Sequence, residues 1–449
     1  MKKGFLSKLT TTQKILLSFL LPILLGSALL ALPVSAAGGR VPYLDALFTS
    51  ATSICVTGLV TVPTFSTWST FGQIVILLCI QIGGLGVVTC LSWFMVTLHR
   101  RMRLSDRLLI QDAMNLNTFS GVITFIRRVF LGTLLLEGVG TLLYLPVFLR
   151  DFGARGIWVS VFTAVSAFCN AGIDILGPDS LCPYRADVYV NLVTSLLIIL
   201  GGIGYIVWWD VLRVLHLPGK RRVRALSLHS KLVLLMTAML LAAGTLLFLL
   251  FESGNPATLG ALPPGERLLA AFFQSVTART AGFATIPQEN LSQASVLTML
   301  PLMFIGASPV GTAGGVKTVT IAVLFASAFG SLRGKDTVGF FGRAVSRSNI
   351  SRAVAVVCAA AALTFISSVL TALVTGADGI DVLFEVVSAI GTVGLSRGLT
   401  PALGTAGKII IIITMYFGRV GPISFLLALN RMNKRRNLVR DPVEEISIG

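Results

Sequence analysis

Charged side chains are scarce in this chain. Asp, Glu, Lys and Arg make up 12% of its 449 residues, against 54% apolar residues. Soluble domains carry about 25% charge, and a mean hydropathy of +0.86 excludes a water-soluble globular domain. Acidic residues are scarcer than basic ones, 19 against 36, and there are only 3 histidines. The cysteines are Cys55, Cys79, Cys90, Cys169, Cys182 and Cys358, and their spacing fits neither a disulfide framework nor a metal site. No catalytic triad is legible. The glycine-rich stretch before Lys317 lacks the glycine that a phosphate-binding loop needs immediately before its lysine, because Val316 stands there. Neither covalent chemistry nor an organic cofactor is implied.

What is present is apolar sequence in long runs. Runs of 18 or more such residues recur, the length needed to cross ~30 Å of hydrocarbon as a helix. Basic residues fall in blocks between these runs: Lys2 to Lys14, Arg100 to Arg128, Arg213 to Lys231, Arg333 to Arg352 and Arg431 to Arg440. Short loops rich in Lys and Arg stay in the cytoplasm. Topology and contact with anionic membrane lipid therefore account for most of the net charge of +17, and nucleic acid is not an expected partner.

Four short stretches share one design. They are Cys55-Val56-Thr57-Gly58-Leu59, Cys169-Asn170-Ala171-Gly172-Ile173, Arg279-Thr280-Ala281-Gly282-Phe283 and Gly391-Thr392-Val393-Gly394-Leu395. Their glycines are 114, 110 and 112 residues apart, and each has a phenylalanine ten residues earlier: Phe48, Phe162, Phe272 and Phe384. A near-constant period this long implies one unit used four times. The apolar run before each glycine is too short to span, which fits a re-entrant segment. Non-helical backbone is tolerated at membrane depth only where protein or water covers it, and four units around one axis would provide that cover.

The expected architecture is an all-α membrane protein of four tandem membrane–pore loop–membrane repeats. It has eight spans and four re-entrant helices around one pseudo-four-fold pore. The repeats cover 15–98, 126–214, 230–329 and 352–430, between a cytoplasmic N-terminus at 1–14 and a cytoplasmic tail at 431–449. Residues 1–36 could also be read as a signal peptide, but the apolar run from Ile15 to about Leu32 is longer than the ~7–15 residues usual there. Arg279, Arg397 and Lys408 are placed near the outer mouth.

A bare cation entering a membrane must replace its hydration shell, and rings of backbone carbonyls do this in potassium pores. Such a loop needs glycine for backbone angles that a side chain would block. The candidate filter is Val56, Thr57, Gly58, Asn170, Ala171, Gly172, Thr280, Ala281, Gly282, Thr392, Val393 and Gly394, with K+ as the bound ion. The arm at Cys169-Asn170-Ala171 departs most from Thr-Val-Gly and is expected to use only some of its carbonyls. Each second span carries a G-x-x-G pair: Gly83–Gly86, Gly201–Gly204, Gly311–Gly314 and Gly418–Gly421. These fit either close helix packing or a bend. In unit three, Gly306 to Lys317 holds Pro309, Gly311, Thr312, Ala313, Gly314 and Gly315 and cannot be a continuous helix. Arg419 is a charge within a predicted span, which faces a cavity or a partner; Glu137 and Glu252 are candidate partners. Glu385 could attract cations or pair with Arg397.

These residues resemble the superfamily of Trk, Ktr and HKT potassium transporters, over about Ile15 to Arg431. Length, and the lack of an extra pair of spans before the first repeat, favour the KtrB-type membrane subunit over the TrkH type. The resemblance implies that Gly58, Gly172, Gly282 and Gly394 line a filter, that Gly306–Lys317 is an intramembrane gate, and that Arg419 lies beneath the filter as a barrier. It further implies a homodimer, a cytosolic ring of nucleotide-binding RCK subunits of the KtrA type, and Na+ as an activator. The competing class is an alternating-access cation symporter, which usually shows inverted or two-fold repeats.

Overall fold

The computed structural model describes residues 11–87, 89–90, 92–93, 122–334 and 338–421. The expected cytoplasmic N-terminus up to residue 10, the basic loop around Arg100 to Arg107 and the tail from 431 lie outside the described residues. So do the far ends of the second spans of units one and four.

Among the described residues, four helices are long and apolar enough to cross a bilayer: Gln13–Leu30, Ile123–Phe152, Leu228–Glu252 and Arg347–Thr375. Each leads one unit. Only 22–28% of the most apolar window in each is buried, so these leading helices present apolar side chains outward, as lipid requires. Each is followed by a short helix: Tyr43–Cys55, Arg155–Cys169, Pro264–Thr277 and Gly379–Gly391. At 1.5 Å per residue, about a dozen residues reach only ~20 Å, short of a span. The short helices form the buried centre. Their phenylalanines Phe48, Phe162 and Phe384 are fully buried.

Unit three departs from the expected register. Phe272 is half-buried and its neighbour Phe273 takes the interior position. The cause is a shorter return. Thr57, Ala171 and Val393 donate their N–H groups to carbonyls five residues back, whereas Ala281 donates to Thr277, four back.

The trailing helices of units one, two and three are interrupted, and that of unit four ends beside the last described residue. In units one, two and four the second glycine of each G-x-x-G pair has the left-handed backbone of a bend, one of the two roles left open for these pairs. Thr70–Leu85 stops at Gly86, and Thr405–Val420 stops at Gly421. Val188–Gly202 and Tyr205–Val214 meet at 98°. Gln293–Phe304 and Thr318–Leu332 flank the broken stretch of unit three. The second glycine of the pair makes each bend: φ is +83° at Gly86, +90° at Gly204 and +94° at Gly421, a region that side chains disfavour. The first glycine packs. A methyl group on Gly83, Gly201 or Gly418 would strike the carbonyl oxygen of Ile54, Phe168 or Ile390, near the end of the short helix.

Serines and an aspartate start several of these helices. Asp187, Ser227, Ser292 and Ser346 each accept an N–H from the residue three ahead, a cap typically worth ~1 kcal/mol. The third basic loop contains a small antiparallel pair, Gly339–Phe340 with Arg343–Ala344.

Topology can be tested by labelling. In a background without native cysteines, Asp179→Cys should react with an impermeant maleimide from outside and Gly334→Cys only from inside; both parent residues are exposed. Mixed labelling would break the four-unit order. Native Cys182 lies in a loop expected outside, and burial pushes its thiol up to about 11. Little of it is then ionised at neutral pH, so it should label slowly.

Candidate functional site

The four glycine loops meet in a closed ring. A methyl group placed on Gly58 would lie 2.5 Å from the carbonyl oxygen of Ala171. On Gly172 it would lie 2.6 Å from that of Ala281, and on Gly282 2.6 Å from that of Val393. On Gly394 it would overlap the carbonyl oxygen of Thr57, which closes the circle. The ring therefore runs through the units in chain order. Nothing larger than hydrogen fits at the glycine positions.

The backbone alternates in handedness along each arm. Val56, Asn170, Thr280 and Thr392 have φ of +54°, +59°, +67° and +52°, and Gly58, Gly172, Gly282 and Gly394 have +96°, +64°, +81° and +94°. The residues between them are not in the left-handed region. Three of the four non-glycine positions are β-branched, for which positive φ is a genuine outlier, and each costs on the order of 1–3 kcal/mol. Hydrogen bonds from the short helices hold the arms against this cost. Thr52 Oγ1 and Ser388 Oγ accept from the N–H groups of Gly58 and Gly394 at 3.0 and 3.1 Å. Ser166 and Thr277 donate to the carbonyls of Ile173 and Phe283 at 2.5 and 2.6 Å.

The stretch Gly306 to Lys317 packs against the ends of the short helices, next to the ring. Its neck is closed by a parallel bridge between Ile305 and Val316. Thr312 Oγ1 donates to the carbonyl of Phe168 at 3.1 Å, and the N–H of Gly314 donates to Thr392 Oγ1, also at 3.1 Å. Gly306 and Gly315 touch each other across the loop, and Gly311 approaches the carbonyl of Gly201. The bend of unit two supports it from the side: the N–H groups of Ser308 and Thr312 donate to Gly202 and Gly201, and that of Tyr205 to Val310. Lys317 curls back, its Nζ donating to the carbonyls of Ala313 and Gly314 at 2.7 and 3.1 Å.

Arg419 joins this loop to unit one. Its guanidinium donates to the carbonyl of Thr312 and to those of Gly83 and Gly84. It pairs with neither Glu137 nor Glu252, which corrects both proposed ion pairs. Glu252 instead accepts from the N–H and hydroxyl of Ser292 at 2.8 and 2.7 Å. Glu385 does not pair with Arg397 either. It accepts from Ser396 at 2.7 Å and from Thr400, while Arg397 pairs with Asp381 at 2.8 Å.

Of the cations expected near the outer mouth, Arg279 is buried and Lys408 is half-buried in an ion pair. Arg279 has a long contact to Thr237 Oγ1 of 3.5 Å. Lys408 pairs with Asp45 of the first short helix at 2.5 Å, and Asp45 also accepts from Thr61. This pair fastens unit four to unit one across 363 residues. Sequence reading missed it, and also missed a cluster of Gln81, Glu137 and Cys169. The only signal for either was a charge within apolar sequence.

The TrkH family model, described as a cation transport protein, matches residues 12–439. The potassium/sodium uptake protein NtpJ of Enterococcus hirae is 39% identical, covering 100% of this chain and 99% of its own length. The Ktr system potassium uptake protein B of Bacillus subtilis is 38% identical, covering 98% and 97%. Among solved structures, the potassium transporter TrkH from Vibrio parahaemolyticus superposes with a TM-score of 0.75 at 17% identity, over 94% of this chain and 86% of that one.

Proposed function

The chain belongs to the TrkH family of cation transport proteins, and from that membership we propose that it carries potassium into the cell through a channel-like pore. The closed ring of glycines and carbonyls is the observation that carries this reading. Potassium sheds water at the outer face, passes the ring, and crosses the loop Gly306–Lys317 into the cytoplasm. An inside-negative potential contributes ~2.3 kcal/mol per charge per 100 mV. Carbonyl oxygens suit a hard, weakly charged cation and need no side-chain ligands.

The loop fits a gate because it packs against two arms and is held by hydrogen bonds that can break without unfolding a helix. Removing Gly311 to Gly315 is expected to raise flux several-fold and to make it less dependent on any partner. Loss of flux with intact folding would make the loop structural. Both termini face the cytoplasm in this reading, and the protein lies in the cell membrane. It is one component of a Ktr-type system, as a homodimer on a cytosolic nucleotide-binding ring, with sodium as an activator. Rubidium uptake into liposomes, with and without a co-expressed cytosolic partner, tests this. Uptake that requires an exchanged counter-ion would favour an alternating-access carrier.

A further inference from the structure

The arm with the least filter-like sequence, Cys169-Asn170-Ala171-Gly172, is backed by a cluster of polar side chains from three helices. Glu137 stands on the leading helix of unit two and is 4% exposed. Gln81 comes from the trailing helix of unit one, and its Nε2 donates to Glu137 Oε2 at 3.1 Å. Cys169 ends the second short helix, and its thiol donates to Glu137 Oε1 at 3.6 Å and lies 3.9 Å from Gln81 Oε1. Among the described residues, no lysine or arginine pairs with Glu137. Burying a carboxyl without a cation is costly, and within a membrane such a residue is a functional candidate.

The position of the thiol gives the cluster its meaning. Cys169 immediately precedes Asn170, the left-handed residue that opens the arm. A methyl group on Gly84 would lie 2.5 Å from Cys169 Sγ, so the thiol is wedged between Glu137 and the trailing helix of unit one. Gly84 in turn offers its carbonyl to Arg419 at 3.5 Å. The cluster thus ties the start of one arm to two units and borders the contact of the gate arginine.

We propose that Glu137, acting through Cys169 and Gln81, is a positioning residue that sets the geometry of the second filter arm and with it the preference among cations. This rests on the reading of the ring as a potassium filter.

The test is rubidium uptake into liposomes, with potassium and sodium as competitors, at matched amounts of folded protein. Glu137→Leu and Gln81→Leu should lose at least about ten-fold of the potassium-over-sodium preference, with a smaller change in maximum rate. Glu137→Gln keeps the shape and one acceptor, and should restore the preference to within about three-fold of the parent. Cys169→Ala removes the thiol with little loss of volume and should shift the preference the same way, more weakly. It keeps the test decisive if Glu137→Leu does not fold. Parent-like preference in Gln81→Leu and Cys169→Ala overturns the inference. Equal loss in Glu137→Gln and Glu137→Leu also overturns it, because the shape of the cluster would then not be what matters. A parent that shows no preference for potassium would instead overturn the filter reading itself.

Discussion

Gly394→Ser is expected to lower apparent potassium affinity or selectivity by at least ten-fold in a protein that still folds. The position has two independent requirements. Its φ of +94° lies where side chains are strained, and a Cβ there would overlap the carbonyl oxygen of Thr57 and lie 2.8 Å from the Cα of Gly58. The substitution must therefore push the fourth arm away from the first. A ten-fold effect is ~1.4 kcal/mol, within the range of one strained residue. The short helix before it, Gly379–Gly391, is held by buried side chains that include Val382, Phe384 and Val386, so the fold is expected to survive the substitution. Measuring expression, thermal stability and ion competition together checks the claim. Unchanged affinity and selectivity in a well-expressed variant would remove Gly394 from the filter.

Arg419→Ala should raise the maximum rate by ten- to hundred-fold and change apparent potassium affinity less. Its guanidinium bridges Thr312 of the loop to Gly83 and Gly84 of unit one, so its removal frees the loop on one side. On the proposed route it also removes a positive charge from beneath the ring. At ~6 Å and an effective dielectric of ~20, two unit charges interact by roughly 2.8 kcal/mol, and mobile water and counter-ions reduce this. Arg419→Lys keeps the charge but cannot span three carbonyls with a planar fork. It should be intermediate if bridging matters and close to the parent if charge alone does. An ion pair would have made alanine destabilising through an orphaned carboxylate, but none of the described carboxylates pairs with Arg419. Reduced expression with unchanged transport per molecule would exclude the barrier role.

The four-fold unit was legible in the sequence because its signals are local. A glycine at fixed spacing, a run too short to span and a proline-glycine stretch need no tertiary context. The bends at Gly86, Gly204 and Gly421 were not legible, since a G-x-x-G pair serves close packing and bending equally well. At Gly204 the deciding contact is the carbonyl of Pro309, 2.5 Å from a would-be Cβ and more than a hundred residues away in sequence. The one-residue shift from Phe272 to Phe273 depended on a turn closed four residues back instead of five, which composition cannot report. The contacts of Arg419 were not legible either: Glu137 and Glu252 stood as candidate partners, whereas its acceptors are backbone carbonyls, and every residue has one. Gln81, Glu137 and Cys169 come from three helices, and no pattern within any one of them announces the contact.

The most direct test of the ring as a potassium filter is rubidium uptake by the purified chain in liposomes under an inside-negative potential, with potassium or sodium added as competitor. The account predicts uptake without an exchanged counter-ion, suppressed by potassium at concentrations where sodium has little effect. Equal suppression by sodium, or uptake that stops when no counter-ion is supplied inside, would contradict it.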